Sequence, residues 1–506
     1  MTTVRDLMST PALVCGTELS LADAAKRMRD SDSGSIIVVD GDKAIGILTE
    51  RDLLRAAAAG VDPGGEQVGL WMTAYPDSLG PEEEAGAAWT SLTHHHYRHL
   101  PVVEAGDLVG VVSMRDLFAI ASLRPADENA HDVPRGLEGV VVSETTVGNV
   151  RGLEGFFHYR QYSAVELAEK RSLEDVWFLL FHGALPTGEQ SARFREEIGH
   201  QRTLPARLEA LLPSLADEGS PLDVLRTGVS LVGAELGWPA TTDIDAETLR
   251  GQATRLCAMV PTLLTAAYRL RSGLEPLPPR HDLSSAANYL WMLSGEEPSP
   301  EQARAVEQYL MLTIDHGFNS STFAARVITS TGADLAAAVC GAVGALSGPL
   351  HGGAPSRALD MLDQIGTPDR AEAWIRDAIG RGERIMGFGH RVYKTDDPRS
   401  VFLRGVAREL GAPLVDFACD VERIVVEVLA DLKPGHHLYA NVEFFAGVVM
   451  NACGIPRQMF TPTFASSRVI GWAAQVMEQV ADNRLIRPTA RYVGPPPPQP
   501  VPLADV

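Results

Sequence analysis

Residues 386–399 of this 506-residue chain, Met-Gly-Phe-Gly-His-Arg-Val-Tyr-Lys-Thr-Asp-Asp-Pro-Arg, hold its densest collection of reactive side chains. His390 follows Gly387 and Gly389, and Arg391 and Arg399 lie just beyond it. Glycine lets main-chain N–H groups come close to a ligand. Histidine donates a hydrogen bond near neutral pH. Arginine grips a carboxylate through two parallel bonds. The grouping suits an anionic substrate with a carbonyl to be polarised. Two more histidines share the glycine-flanked setting: His316 in Asp-His-Gly and His351 in Gly-Pro-Leu-His-Gly-Gly-Ala. A carboxylate, Glu443, stands in Asn-Val-Glu-Phe-Phe.

The elements that position these groups are mostly helical from residue 136 onward, in Ala-rich windows that favour helix. Val306, Leu310 and Ile314 recur at i, i+4 and i+8, one apolar face. That helix delivers Asp315-His316-Gly317 at its end. Asn319 and Ser320 are placed to cap the next helix, which Thr331-Gly332 interrupts. Leu335, Val339, Val343 and Leu346 mark another, ending at Ser347-Gly348-Pro349, with His351 in the loop beyond. His316, His351 and His390 therefore all lie at glycine-marked helix ends, where one site is expected.

Residues 1–122 read differently. An apolar run, Ser35–Val39, an Asp40-Gly41 turn and a second run, Ala44–Thr49, make a hairpin. The same pattern returns at His99–Val103, Gly106-Asp107 and Leu108–Ser113. Helices are expected at Ser20–Arg29 and Pro81–Leu92 before the hairpins, and from Glu50 and from Met114 to Ala121 after them. The repeat is helix–strand–strand–helix, with copies at about 1–60 and 66–122. His94-His95-His96 point in different directions on a helix and cannot hold one ion, so they read as an exposed helix end. The polar, Pro-containing stretch 123–135 reads as a linker, and 495–506 as a Pro-rich tail.

Acidic residues outnumber basic ones by 65 to 44, a net charge of −21, which argues against a nucleic-acid partner. Five scattered cysteines form no Cys-x-x-Cys pair and read as buried thiols. The N-terminus lacks an apolar signal region and no run approaches a membrane span. A soluble, cytoplasmic protein is expected.

The N-terminal half resembles a pair of cystathionine β-synthase (CBS) domains, an α/β Bateman module. The resemblance rests on Gly46-x-x-Thr49-x-x-Asp52 and Gly110-x-x-Ser113-x-x-Asp116. It implies an adenine nucleotide as regulator, with Thr49 and Ser113 on phosphate and Asp52 and Asp116 on ribose hydroxyls. Thr49 and Ser113 could instead serve only as helix caps.

The rest, 136–494, resembles the citrate synthase family. The shared motifs are Gly136-Leu137-Glu138-Gly139-Val140 as the leading strand, His316 to Phe323, Gly-Pro-Leu-His351-Gly-Gly-Ala and Gly-Phe-Gly-His390-Arg. Phe464-Ala-Ser-Ser-Arg468-Val-Ile-Gly471-Trp472 and Arg487-Pro-x-Ala-x-Tyr492-x-Gly494 complete the set. The resemblance implies a multidomain chain whose mainly α C-terminal part has a large domain and a small one, about 353–455. It implies an acyltransferase that condenses acetyl-CoA with oxaloacetate to citrate and CoA. His351 would stabilise the enolate, His390 would polarise the oxaloacetate carbonyl, and a carboxylate would act as base. His316, Asn319, Arg399 and Arg468 would bind substrate, with Arg487 arriving from a second subunit of a homodimer or larger assembly. The backbone of Met386, Gly387 and Gly389 would line the CoA adenine pocket. No metal and no tightly bound cofactor is implied. The family usually has Asp where Glu443 stands, and the extra methylene moves the carboxylate about 1.5 Å. A 2-methylcitrate synthase using propionyl-CoA, or an inactive nucleotide-responsive regulator, remain alternatives.

Overall fold

A computed structural model describes residues 3–85, 88, 92, 97–114, 116, 135–137, 139–349, 351, 354–389, 393, 395–432, 439–495 and 497–498. His390 and Arg391 lie outside the described residues. So do His94–His96, part of the expected helix 81–92, most of the expected helix 114–121, the linker up to residue 134, and most of the Pro-rich tail. The chain divides into two compact units, Met1–Val141 and Val142–Val506.

In the first unit β1 (Val14–Cys15), α1 (Leu21–Asp30), β2 (Ser35–Asp40), β3 (Lys43–Thr49), α2 (Glu50–Ala58), α3 (Val68–Trp71) and β4 (Thr73–Ala74) precede β5 (His99–Glu104) and β6 (Asp107–Ser113). Strands β2 and β3 pair antiparallel, as do β5 and β6, each with a register shift at the same place, Val38/Val39 and Val102/Val103. The shared irregularity is the structural form of the sequence repeat. β1 and β4 extend the first hairpin to a sheet in the order β1-β2-β3-β4.

The copies exchange their leading segments. Val4 is fully buried with Leu79, Leu100, Val102 and Val112 of the second copy, and Ser9 bridges Val111. Val68 is buried with Leu21, Ile36 and Leu48 of the first copy, and β4 pairs with β3. The paired sequences Val4-Arg5-Asp6-Leu7-Met8 and Val68-Gly69-Leu70-Trp71-Met72 are thus equivalent plugs. Each motif glycine makes room for one: a Cβ on Gly46 would overlap Met72 Sδ, and one on Gly110 would lie 2.8 Å from Met8 Sδ.

In the second unit, a small sheet of β7 (Gly148–Arg151), β8 (Phe156–Tyr159) and β9 (Tyr162–Ser163) comes first. Then come α4 (Ala164–Lys170), α5 (Leu173–His182), α6 (Gly188–His200), α7 (Ala206–Glu218), α8 (Pro221–Glu235) and α9 (Ala246–Arg271). They are followed by α10 (Ser285–Ser294), α11 (Pro300–Thr313), α12 (Ser320–Ser330), α13 (Leu335–Leu346), α14 (Ala354–Ile365) and α15 (Pro368–Gly380). The last are α16 (Pro398–Glu409), α17 (Val415–Leu432), α18 (Val442–Ala452) and α19 (Phe460–Ala481). The expected leading strand at 136–140 is not formed. Arg135–Leu137 is a short 3-10 turn, and Gly136, Leu137 and Gly139 have positive φ of 64°, 57° and 77°, incompatible with a strand. The first strand begins at Gly148.

Short polar residues start the helices that matter for the site. Asn319 accepts from Thr322 N–H, Asp334 from Ala337 N–H, Asp397 from Arg399 N–H and Asn441 from Glu443 N–H. Val306, Leu310 and Ile314 are buried as their spacing requires. Trp177, Tyr289, Tyr309, Phe444, Phe445 and Trp472 are among the largest side chains of one continuous core.

Candidate active site

The glycine-rich loop is fastened to the start of α18. Gly389 N–H donates to Tyr439 O at 2.9 Å, and Asn441 N–H donates to Gly387 O at 2.8 Å. The Asn441 amide also donates to Gly389 O at 3.0 Å. Gly387 and Gly389 have φ of 81° and 83°, a region that side-chain-bearing residues rarely adopt. A Cβ on Gly387 would also meet Phe444 at 3.0 Å. These bonds place Glu443, on the first turn of α18, beside the segment that leads into His390.

Asp397 joins two helix starts. It receives Arg399 N–H and Nε–H at 3.0 Å each, Arg399 Nη2–H at 2.8 Å and Val442 N–H at 3.1 Å. The pair is almost wholly buried, at 4% and 1% side-chain exposure, so its many bonds must offset desolvation. The Arg399 guanidinium faces the rings of Phe157 and Tyr393 at 5.9 and 5.8 Å. Tyr393 Oη lies 3.0 Å from His316 Nε2, and the His316 ring meets Phe157 edge-on at 5.7 Å. Strand β8 is the floor here: Tyr159 Oη–H reaches Met311 O and Asp315 O at the end of α11. Arg468 on α19 donates to Thr313 O at 2.8 Å and is equally buried. Gly471 lets α19 approach, since any Cβ there would overlap the carbonyl of Ile314.

His351 Nε2 lies 2.8 Å from Ser321 Oγ, on the first turn of α12. Ser321 is shared: Asn319 Oδ1 is also 2.8 Å away, and Trp472 Nε1–H donates to it at 3.1 Å. Trp472 can only donate, so the Ser321 proton serves either Asn319 or His351.

The electrostatics single out two groups. Burial, helped by the Arg468 charge, lowers His351 to about 4, so its imidazole is neutral at physiological pH. Burial pushes the Glu443 carboxyl up to about 7, against the opposing pull of Arg399 and Arg468. Glu443 nonetheless keeps partial solvent exposure. Asp315 is likewise raised by burial to about 6, with Arg468 opposing. A carboxyl poised near neutrality, a neutral histidine and two buried guanidinium groups form an acid–base site with anion-binding capacity.

Comparison with known proteins decides the family. Residues 136–489 match the family model for the citrate synthase C-terminal domain, and 4–59 and 66–122 each match a CBS domain. The citrate synthase of Deinococcus radiodurans is 40% identical over 368 residues, covering 72% of this chain and 96% of that protein. This chain belongs to the citrate synthase family. It is an acyltransferase with an N-terminal CBS pair. A 2-methylcitrate synthase of Mycobacterium tuberculosis is 38% identical, covering 76% of this chain and 96% of its own length. A Thermoplasma acidophilum citrate synthase, solved as a ternary complex with carboxymethyl coenzyme A and oxaloacetate, superposes with a TM-score of 0.69 at 30% identity. It covers 74% of this chain and 99% of that one.

Among the citrate synthase motif residues, the structure brings Arg399, Arg468 and Glu443 within electrostatic reach of one another, and His351 within reach of Arg468. His316 joins through Tyr393 and Phe157. Asn319 touches the site through Ser321. The described neighbours of His390, Gly387 and Gly389, are held against α18. Arg487 and Tyr492 are exposed on the segment after α19 and are not brought to this chain's site. Sequence reasoning missed Phe157, Ser321, Tyr393, Asp397 and Trp472. Asp397-Pro398 was the readable signal, a cap followed by proline at the first helical position.

In the CBS pair, the motif residues bind one another. Thr49 N–H and Oγ–H donate to Asp52 Oδ2 at 2.9 and 2.7 Å. Ser113 N–H and Oγ–H donate to Asp116 Oδ2 at 2.8 and 2.7 Å. Both are capping arrangements. Arg55 adds an ion contact to Asp52 at 3.4 Å. Among the described residues no helix is long and apolar enough to cross a membrane.

Proposed function

We propose that this chain condenses acetyl-CoA with oxaloacetate to citrate and CoA, and that adenine nucleotides bound by the CBS pair modulate the reaction. The observation that carries the catalytic half is a part-exposed Glu443 carboxyl raised to about 7 within reach of two buried guanidinium groups. A base works best when its pKa lies near the working pH. Glu443 removes a methyl proton from the thioester, and His351 stabilises the enolate by donating to the thioester oxygen. A neutral imidazole can do this from Nδ1 if Ser321 donates its proton to Nε2. Trp472, donating to the Ser321 oxygen, leaves that proton free to turn toward His351. His390 polarises the oxaloacetate carbonyl. His316, Arg399 and Arg468 receive its carboxylates, and Asn319 adds to the substrate-binding set. Arg487 of a second copy completes the site, in keeping with its exposure here. The backbone at Met386, Gly387 and Gly389 borders the CoA adenine, and the part about 353–455 closes over the substrates to exclude water until condensation is done, after which water hydrolyses the citryl thioester to citrate and CoA. Acetyl-CoA is a substrate, and no tightly bound cofactor takes part.

The Mycobacterium tuberculosis relative favours a second reading, propionyl-CoA as acyl donor. One methylene supplies only about 1–3 kcal/mol of discrimination. CoA release from acetyl-CoA and from propionyl-CoA, each with oxaloacetate and with or without ATP, ADP or AMP, tests all of this. A higher kcat/KM for acetyl-CoA and a nucleotide effect are expected. A preference for propionyl-CoA selects the second reading, and no turnover with either rejects both.

A further inference from the structure

Arg326 lies on α12, 3% exposed, five residues beyond Ser321, and takes no part in the chemistry described above. Its guanidinium reaches two places at once. On one side Nε–H donates to Gln479 Oε1 at 3.0 Å, and Nη1–H donates to Gln475 Oε1 and Glu478 Oε2 at 2.7 Å each, all on α19. On the other, Nη2–H donates to Ser143 Oγ at 2.9 Å and to Glu144 O at 3.5 Å. Ser143 and Glu144 are among the first residues of the C-terminal unit, which begins at Val142. Glu478 doubles the attachment, receiving Thr146 N–H at 2.6 Å and Thr146 Oγ1–H at 2.8 Å.

The cluster does not end there. Gln475, 1% exposed, turns its amide from Arg326 to Asp315 Oδ1 at 3.3 Å. Asp315 precedes His316, receives Gly317 N–H at 3.2 Å, and its charge acts on Arg468. Arg326, Gln475, Gln479 and Asp315 are buried, whereas Glu144 and Thr146 at the outer end are exposed. A buried amide or guanidinium that loses one partner leaves the other end misdirected, because the desolvated group has no water to replace it.

We propose that Arg326 is a positioning residue for oxaloacetate binding: it fastens the leading segment 143–146 to α12 and α19 and, through Gln475 and Asp315, holds His316 and Arg468 in register. The segment that connects the CBS pair to the C-terminal unit is thereby clamped to the carboxylate-binding side of the site. The proposal rests on the reading of His316 and Arg468 as oxaloacetate ligands.

The test uses the full-length chain with R326Q, R326K and S143A. Oxaloacetate and acetyl-CoA are varied separately, oxaloacetate binding is measured by calorimetry, and amide exchange is followed over residues 313–323. R326Q is expected to raise the oxaloacetate KM about tenfold, the equivalent of one lost charged hydrogen bond, with kcat changed by less than about threefold. R326K should recover part of the loss. S143A, which removes only the outer contact, should raise KM about twofold and speed exchange at 313–323. Unchanged oxaloacetate affinity and exchange in a folded R326Q would overturn the proposal. So would a loss in which kcat and both KM values worsen together with the melting temperature, since that is structural damage alone. A wild type without turnover rejects the catalytic reading, while calorimetry and exchange still decide the role of Arg326.

Discussion

The two halves of this chain hold comparable polar motifs in opposite states. In the CBS pair, Thr49 with Asp52 and Ser113 with Asp116 are closed on themselves as helix caps, with hydrogen bonds of 2.7–2.9 Å. In the catalytic unit, Glu443 is raised to about 7 and His351 lowered to about 4 by the desolvation their positions impose. A motif that satisfies itself stabilises the fold and must be opened by a ligand. A motif held away from its ordinary ionisation stores that cost for chemistry. The same residue types thus carry different meanings, and neighbours within four residues decide one case while distant packing decides the other.

The comparison breaks most clearly at Glu443. E443Q should lower turnover by about 1,000-fold, within the range for losing a general base. It should not lower the melting temperature. Glu443 has a folded pKa raised above its ordinary value, so the folded state binds more protons and stability is lost as pH rises from about 4.5 through about 7. Gln cannot ionise, so E443Q should melt higher than wild type at pH 8 and match it near pH 4. A lower melting temperature at pH 8 would place Glu443 among the self-satisfied groups.

S321A should follow in size. Removing the hydroxyl strands both His351 Nε2 and Trp472 Nε1, and kcat is expected to fall about 10- to 100-fold with a stability loss of about 1–3 kcal/mol. Stopped-flow kinetics and denaturant titration separate the two effects. A stability loss with kcat intact would mean that His351 needs no partner.

The pH profile sharpens the contrast without mutation. Log kcat/KM should fall below pH 7 with unit slope, reporting Glu443 in the free enzyme. His351 stays neutral across that window, and its own contribution to stability is lost only as pH falls below about 6.5 toward 4. An acid limb centred near pH 4.5 would show a Glu443 with an ordinary carboxyl.

The smallest effect belongs to the CBS caps. D52N and D116N should each cost about 1 kcal/mol of stability, the usual worth of a cap. If the boxes open to a nucleotide, calorimetry with ATP, ADP and AMP should show weaker binding in both variants. Unchanged affinity would leave them as caps alone.

Much of the catalytic unit was legible because its signals are local. Asn319 caps a helix through a side-chain bond to backbone three residues on, so its role is written in a short spacing. The apolar faces of α11 and α13 follow from helical period. The leading strand at 136–140 was misread because the chain takes left-handed conformations at Gly136 and Gly139. Phe157 and Tyr159 were missed because a four-residue strand carries little periodic signal amid helices. The exchange of Val4 and Val68 between the CBS copies could not be read either, since a repeat looks the same whichever partner its plug enters.

The sequence by itself determined which side chains are available, their order, and where helices start. Those depend on contacts within a turn or two. Only the tertiary structure decided that Asp397 also meets the start of α18 at Val442, that Tyr393 meets His316, and that Glu443 lies where burial outweighs two guanidinium charges. Desolvation and Coulomb energies depend on distances between segments far apart in the chain, and no local pattern encodes them.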